Sequence, residues 1–139
     1  MILTDTGPLV AALDAGDDAH EVCVAAMGRV SGPLVITWPV LTEAMYLLGE
    51  RAGVAAQLRL GAMIEHGGVR LVELGQADLV RAVGLMKQYA DTPMDFADAS
   101  LVVVAERDRL PTVLTFDRRG FETYRVKAGR GHRALEVVP

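Results

Sequence analysis

The sequence predicts an α/β fold in which a central, mostly parallel sheet of about five strands is covered by helices on both faces. Short apolar runs alternate along the chain with segments whose apolar residues recur at helical spacing. The chain has 139 residues, of which 51% are apolar, so it can bury a substantial core in a single domain spanning 1–139. Its apolar runs, such as 101–105, are far too short to cross a bilayer. We therefore expect one folded domain without a membrane partner.

Turn and cap residues predict where each element begins and ends. Pro8 suits a first helical turn, Gly53 separates two helices, and a glycine pair at 67–68 ends the second of these. The predicted strands lie at 2–4, 34–37, 69–74, 112–116 and 135–138. The predicted helices lie at 9–13, 17–30, 40–51, 54–65, 77–89 and 93–109, with a short helix at 118–124 and a loop at 129–131. In the helix at 77–89 the apolar face is predicted to carry Leu79, Val83, Met86 and Ala90.

Charge and cysteine content narrow the functional classes. The net charge of −4 provides no overall attraction to nucleic acid. The single cysteine, Cys23, excludes an internal disulfide and a cysteine-based zinc site. The N-terminus lacks the pattern of a signal peptide, so we expect a cytoplasmic protein. Basic residues are nevertheless concentrated near the C-terminus, where only Glu122 opposes Arg118, Arg119, Arg125, Lys127, Arg130 and Arg133.

Two aspartates follow predicted strands at the point where each strand ends. Asp5 follows the first strand, and Asp117 follows the strand at 112–116. Ligands of open parallel sheets bind outside the carboxyl ends of the strands, which makes both residues candidates for a functional site. Each could instead cap the helix that follows it. Thr6 is the better-placed cap for the first helix, which favours a site at Asp5, whereas both interpretations stay open for Asp117.

Glu43 interrupts an apolar helical stripe. Its helical neighbours include Val40, Ala44 and Leu47. A glutamate on such a stripe is costly if it is buried without a partner. It therefore either belongs to a site or lies at the edge of the stripe with its carboxylate in solvent.

Asp95 and Asp98 are three residues apart and share one face of a predicted helix. With Thr92 as N-cap and Pro93 at the first helical position, Asp95 would complete a capping box, which explains it structurally. Asp98 would then lie beyond the free N–H groups of the first turn. Its neighbours at one and two turns are Leu101, Val102 and Ala105, and no Lys or Arg stands three or four residues away. The sequence thus predicts a compensating partner for Asp98 from elsewhere.

A parallel sheet could bring these carboxylates to one edge. Ionised carboxylates in close proximity repel each other strongly unless cations lie between them. Oxygen-rich ligation of this kind selects Mg²⁺ or Mn²⁺. These ions support phosphodiester hydrolysis, because they activate water and stabilise the leaving oxygen.

Four segments, in this order and spacing, resemble the PIN-domain family, and most of all its VapC-type toxins of bacterial toxin–antitoxin pairs. They are Asp5-Thr6 after an apolar strand, LTEAMYLL, DFADASLVVVAE and TFDRRGF. The resemblance extends over nearly the whole chain. It implies a PIN-like α/β/α fold and a metal-dependent endoribonuclease that cuts single-stranded RNA.

The resemblance also implies roles for individual residues. The catalytic acids would be Asp5, Glu43, Asp98 and Asp117, with Asp5 and Asp98 as the principal ligands of Mg²⁺ or Mn²⁺. Supporting residues would be Thr6, Thr115 and the additional acid Asp95. Arg118, Arg119 and the basic segment after them would contact substrate phosphates, although such a run can also be a solvated face. The implied partners are RNA, a second copy of the chain, and a VapB-type antitoxin whose C-terminal segment lies across the active-site groove.

Two other functional classes remain open from the sequence. One is a different phosphate hydrolase with Asp5 as nucleophile, although such enzymes usually have a second Asp two residues later, where this chain has Gly7. The other is a non-catalytic binding module in which the acids serve as helix caps.

Overall fold

The computed structural model describes residues 1–139 and confirms the predicted α/β architecture. The strands are β1 (Ile2–Thr4), β2 (Leu34–Thr37), β3 (Val69–Val72), β4 (Thr112–Leu114), β5 (Val126–Ala128), β6 (Gly131–Arg133) and β7 (Glu136–Val138). Five of them form one parallel sheet in the order β3-β2-β1-β4-β7, and β5 and β6 form a separate antiparallel hairpin. The helices are α1 (Thr6–Leu13), α2 (His20–Gly28), α3 (Trp38–Glu65), α4 (Gln76–Gln88), α5 (Phe96–Arg107) and α6 (Arg118–Thr123).

The middle of the sheet is covered on both faces. All residues of β1 are buried, and successive residues of a strand point to opposite faces, so helices must cover both sides. In the register of β1, Leu3 lies opposite Val35 of β2 and Val113 of β4. These side chains belong to one hydrophobic core of 29 buried residues. The helix α1 packs against α2 and α3, and α4 packs against α5.

The long helix α3 is interrupted where the sequence predicts a boundary. Gly53 has a φ of 77° and a ψ of −177°, a conformation outside the helical region that glycine adopts readily. The two predicted helices at 40–51 and 54–65 are therefore two helical segments joined by a kink. The chain has no helix that combines the length and the apolar character needed to cross a membrane.

The predicted apolar face of α4 was wrong. In α4 the buried residues are Ala82 and Leu85, whereas Leu79 and Val83 of the predicted apolar face are 48% and 40% exposed. The pattern failed because this helix has several apolar residues on its outer side. The predicted loop at 129–131 is confirmed at 129–130, which form the tight turn of the β5–β6 hairpin, with Gly129 at a φ of 60°. The two strands of this hairpin were not predicted.

Candidate active site

The acidic site is built at the carboxyl edge of the sheet, where β1 and β4 lie side by side. The backbone N–H of Asp5, the residue after β1, donates to the carbonyl of Leu114 at 2.9 Å. Thr115, the residue after β4, donates its hydroxyl to Oδ2 of Asp5 at 2.8 Å. The same hydroxyl oxygen accepts a hydrogen bond from the backbone N–H of Asp117 at 3.0 Å. One buried threonine therefore links the two strand-end aspartates.

Asp5 is itself the N-cap of α1. The helix begins at Thr6, whose backbone N–H donates to Oδ1 of Asp5 at 2.8 Å. The prediction that Thr6 would be the better-placed cap was wrong, because the helix starts before Pro8. The Thr6 hydroxyl is 6% exposed and its oxygen has no hydrogen-bond partner, although it lies near the Glu43 carboxylate. It is thus a buried polar atom beside two acids.

Asp95 and Asp98 open α5 as a reciprocal pair. Asp95 is the N-cap and accepts from the backbone N–H of Asp98 at 2.8 Å, while Oδ2 of Asp98 accepts from the backbone N–H of Asp95 at 3.2 Å. The expected capping box with Thr92 as N-cap and Asp95 at the third position was wrong by three residues. Asp98 consequently has a local backbone partner that the sequence did not indicate. The expectation that Asp98 would be buried is confirmed, since it is 9% exposed.

Glu43 and Asp117 lie on the exposed side of the site. Glu43, on α3, is solvent-exposed at the edge of its apolar stripe and shares a groove with Asp95. Asp117 is exposed and caps α6 by accepting from the backbone N–H of Gly120 at 3.0 Å. Both residues therefore face solvent beside the two more buried aspartates.

The predicted phosphate-contacting arginines have different environments. Arg118 forms an ion pair with Glu122 at 3.2 Å and donates to the carbonyl of Pro139 at 3.1 Å. Arg119 forms no ion pair and lines a polar cleft of about 430 Å³ together with Asp117. Farther along the basic segment, the backbone N–H of Lys127 donates to Glu106. Glu106 is near the end of α5 opposite to Asp98, roughly 12 Å along the helix axis.

The five acids of the site carry no compensating basic partner. None of the ion pairs in the chain involves Asp5, Glu43, Asp95, Asp98 or Asp117. Burial, followed by the negative charge of Asp95 and then of Asp5, raises the pKa of Asp98 to about 8. Burial also raises the pKa of Asp5, against the hydrogen bonds from Thr115 and Thr6, and raises the pKa of Glu43. These carboxylates are thus close enough to disfavour one another's ionisation.

The donor set suits a hard divalent cation. The side chains of the site offer carboxylate and hydroxyl oxygens, including the unpartnered Thr6 hydroxyl, and oxygen ligands of this kind are preferred by Mg²⁺ and Mn²⁺. In the positions seen, no three His, Cys, Asp or Glu side chains are grouped closely enough to hold a metal ion together. Mg²⁺ usually retains several waters and takes one or two carboxylates. A pair such as Asp5 and Asp98 therefore fits this ion, with the other acids acting through water.

A groove runs from the acidic site between α3, α4 and α5. Its volume is about 810 Å³. Glu43 and Asp95 line it, together with the apolar side chains of Trp38, Leu79 and Phe96, which are 48%, 48% and 39% exposed. The sequence did not indicate this groove. The sequence feature that could have indicated the groove is an apolar residue in the first turn of each of the helices α3, α4 and α5.

A buried hydroxyl pair beneath the site was also missed. Thr37 and Ser100 lie 2.7 Å apart between their hydroxyl oxygens, and Ser100 donates to the carbonyl of Ala97 at 2.7 Å. Thr37 caps α3 and Ser100 belongs to α5, so this contact joins the two helices that carry Glu43 and Asp98. The available signal was Ser100, a polar residue in an otherwise apolar helical stretch.

The geometry does not favour Asp5 as a covalent nucleophile. Both oxygens of Asp5 already accept hydrogen bonds, from Thr6 and from Thr115. A Cβ atom at Gly7 would lie 3.1 Å from the ring of Phe116, so the second aspartate of such enzymes would be crowded at that position.

Known proteins resemble the chain over most of its length. Ribonuclease VapC26 of Mycobacterium tuberculosis is 33% identical over 128 residues, which cover 92% of this chain and 95% of that protein. The crystal structure of Mycobacterium tuberculosis VapC20, a toxin that cleaves the sarcin–ricin loop, superposes with a TM-score of 0.78 at 22% identity, covering 84% of this chain and 90% of VapC20. A toxin–antitoxin complex from Klebsiella pneumoniae contains a chain that superposes with a TM-score of 0.69 at 19% identity. The match covers 88% of this chain and 92% of that chain. No protein-family model matches the sequence.

Raising the pH without divalent cations is expected to destabilise the chain. The folded state holds a proton on Asp98 up to about pH 8, whereas the unfolded chain releases it near the ordinary value of 3.8. The folded state therefore binds more protons between these values, and the free energy of unfolding falls as the pH rises through this window. The raised pKa values of Asp5 and Glu43 act in the same direction.

Asp98→Asn is expected to weaken the pH dependence of the free energy of unfolding. It should raise this free energy at pH 8 by about 1 kcal/mol or more. Thermal unfolding in EDTA at about pH 5 and about pH 8 measures both effects. Asp18→Asn, at an exposed acid of the α1–α2 connection, is the matched control and should retain the wild-type profile. An unchanged pH dependence in Asp98→Asn would contradict the assignment.

Proposed function

Since the chain belongs to the VapC family of PIN-domain proteins, we propose that it is a metal-dependent endoribonuclease and the toxin of a VapBC-type toxin–antitoxin pair. The observation that carries the proposal is the group of carboxylates without basic partners at the carboxyl ends of β1 and β4. The relative with 33% identity is named a ribonuclease, which supports RNA as the substrate. A ribonuclease toxin acts where cellular RNA is, so we place the protein in the cytoplasm.

The cation is proposed to be Mg²⁺ or Mn²⁺, held by Asp5 and Asp98. When bound, it supplies an activated water and stabilises charge on the phosphoryl and leaving oxygens. Thr115 holds Asp5 through a hydrogen bond of 2.8 Å, and the backbone N–H of Asp95 holds Asp98 at 3.2 Å. These contacts fix the two ligands on rigid elements at the sheet edge, where they would orient the scissile phosphodiester.

The remaining acids of the site would act around this pair. Glu43 and Asp117 face solvent, so each can bind directly or through water and can hold the proton of an attacking water. Partial desolvation, and then the negative charges of Asp95 and Asp5, raise the pKa of Glu43, which makes it a better proton acceptor than a free glutamate. Asp95 supports Asp98 through the capping pair.

The apolar groove is proposed to receive the antitoxin. Trp38, Leu79 and Phe96 offer apolar contacts, while Glu43 and Asp95 at the same groove attract a basic side chain. A peptide with apolar side chains and a basic residue matches both features, and it would block the approach of RNA to the acids. The similarity to a chain in a toxin–antitoxin complex supports such a partner.

We also propose that the chain forms a homodimer. The helix α3 exposes apolar side chains outside the groove, at Tyr46, Val54 and Leu58, each about two-thirds accessible. Exposed apolar side chains grouped on one element are typical of surfaces that bind another protein. A second copy of the chain would bury them.

Substituting the proposed ligands is expected to abolish RNA cleavage. Asp5→Asn and Asp98→Asn should each lower kcat/KM on single-stranded RNA by more than about 100-fold, because each removes a charged ligand from the cation. Cleavage of a fluorescent RNA with Mg²⁺ or Mn²⁺ measures this, and circular dichroism checks the fold. Asp18→Asn is again the matched control, with unchanged activity. Full activity in well-folded Asp98→Asn would refute the proposed function.

Arg119 is expected to contribute more to RNA binding than Arg118, because Arg118 is already engaged by Glu122 and Pro139. Arg119→Gln should raise KM about 3–10-fold and reduce the salt dependence of binding, whereas Arg118→Gln should have the smaller effect on both. Steady-state cleavage at several salt concentrations makes the comparison. Equal effects of the two substitutions would contradict the prediction that the contacts of Arg118 with Glu122 and Pro139 reduce its contribution to RNA binding.

Leu79→Lys is expected to weaken antitoxin binding by about tenfold or more, since it places a charge in the apolar part of the groove. Val83→Lys, on the same helix but outside the groove, is the matched control. The probe is the proposed VapB-type antitoxin, and its affinity for the chain is measured by calorimetry. Equal weakening by both substitutions would contradict the groove assignment.

Light scattering of the same samples tests the proposed homodimer, whose molar mass is twice that of one chain.

A further inference from the structure

Tyr124 has a buried hydroxyl that the proposed chemistry does not yet use. The residue directly follows α6 and is 0% exposed, and its hydroxyl oxygen has no hydrogen-bond partner. A buried hydroxyl without a partner is unfavourable, and few such groups persist in folded proteins. Phenylalanine would fill the same space without that cost. The hydroxyl therefore calls for an explanation outside the packing of the core.

The ring of Tyr124 is held in place on several sides. It makes edge-to-face contacts with Tyr89 and Phe121, each with ring centroids 5.2 Å apart. Its backbone N–H donates to the carbonyl of Gly120 at 3.0 Å. The direction of the hydroxyl is consequently fixed by packing.

That direction is toward the acidic site. A Cβ atom at Gly120 would lie 2.9 Å from the Tyr124 hydroxyl oxygen and would clash with the carboxylate of Asp117. The hydroxyl and this carboxylate thus face the same small space, which the absence of a side chain at Gly120 leaves free. Burial, and then the negative charges of Asp98 and Asp117, raise the pKa of Tyr124 well above its usual value. The hydroxyl keeps its proton and remains a donor.

We propose that Tyr124 is a positioning residue of the acidic site: its buried hydroxyl, which has no partner in this structure, donates to the carboxylate of Asp117 when a divalent cation is bound, and thereby strengthens the binding of that cation. A donor whose direction is fixed by packing would hold one oxygen of the Asp117 carboxylate and leave the other free for the cation. Outer partners of this kind orient ligands and tune affinity without touching the ion. The inference rests on the proposed function, because it assigns a partner to that same site.

The test is Tyr124→Phe in the full chain, with Mn²⁺ alone as the probe. Calorimetry is expected to show Mn²⁺ affinity lowered by about tenfold or more. The matched control is Tyr89→Phe, which removes the hydroxyl that accepts from the backbone N–H of Arg125 at 3.0 Å. That control should bind Mn²⁺ within about twofold of wild type, since its hydroxyl already has a partner outside the site.

Two further measurements separate positioning from a structural role. Without cations, Tyr124→Phe should unfold at or above the wild-type temperature because its hydroxyl has no partner, whereas Tyr89→Phe should unfold at a lower one. In RNA cleavage at limiting Mn²⁺, Tyr124→Phe should lower kcat with little change in KM. Higher Mn²⁺ should restore kcat, which a purely structural defect would not allow.

The outcomes distinguish this inference from the proposed function. If the wild type binds Mn²⁺ and cleaves RNA, but Tyr124→Phe binds the ion equally well, the inference is wrong and the proposed function stands. If the wild type neither binds Mn²⁺ nor cleaves RNA, both are overturned. Should Tyr124→Phe fail to fold, Gly120→Ala takes its place, because the added Cβ intrudes between the hydroxyl and Asp117. Wild-type Mn²⁺ affinity in Gly120→Ala would likewise overturn the inference.

Discussion

The pairing of β1 with β4 is the contact on which the acidic site depends. The two strands are separated by more than 100 residues in the sequence. Their ends are nevertheless joined by the hydrogen bond from the Thr115 hydroxyl to Asp5, two residues that are 110 positions apart. This bond forms only when the parallel register places Thr4 opposite Leu114. A shift of one residue would turn the side chains that follow to the other face and separate the acids. The apolar packing of the strands therefore determines the geometry of the polar site.

Capping a helix and the proposed binding of a cation are compatible roles for the same aspartates. Asp5, Asp95 and Asp117 are the N-caps of α1, α5 and α6, and each accepts a backbone N–H of its helix. Helix N-termini have partial positive charge, which favours nearby carboxylates in their ionised form. Three helix starts thus meet at one edge and offset part of the repulsion among the acids. The pKa values of Asp5 and Asp98 stay raised, first by burial and then by the neighbouring acids, so this offset is incomplete.

The sequence was sufficient for the sheet and for the expectation that the strand-end aspartates lie at one edge of it. The strand runs, the strand-end aspartates and the apolar stripe around Glu43 are local patterns, and their order along the chain implies which edge they share. The start of α5 was misplaced because Thr92-Pro93 and Asp95 both match cap signals, and the choice between them depends on tertiary packing. The inward direction of Tyr124 was not visible either, since it follows from its contacts with Tyr89 and Phe121.

The structure also changes the meaning of the basic C-terminal segment. Arg125 donates to the carbonyls of Glu122, Thr123 and Tyr124, and Arg118 is held by an ion pair and by Pro139. These guanidinium groups are engaged in closing the end of α6, so the charge run overstates the surface available to phosphates.

With a net charge of −4, the chain gains little from general attraction to RNA. Under the proposed function, the affinity for RNA must therefore come from the proposed cation and from side chains that the fold does not engage, such as Arg119. Weak general attraction of this kind favours selectivity in a nucleic-acid-binding protein, because a ligand that does not fit the site has little other attraction to the surface.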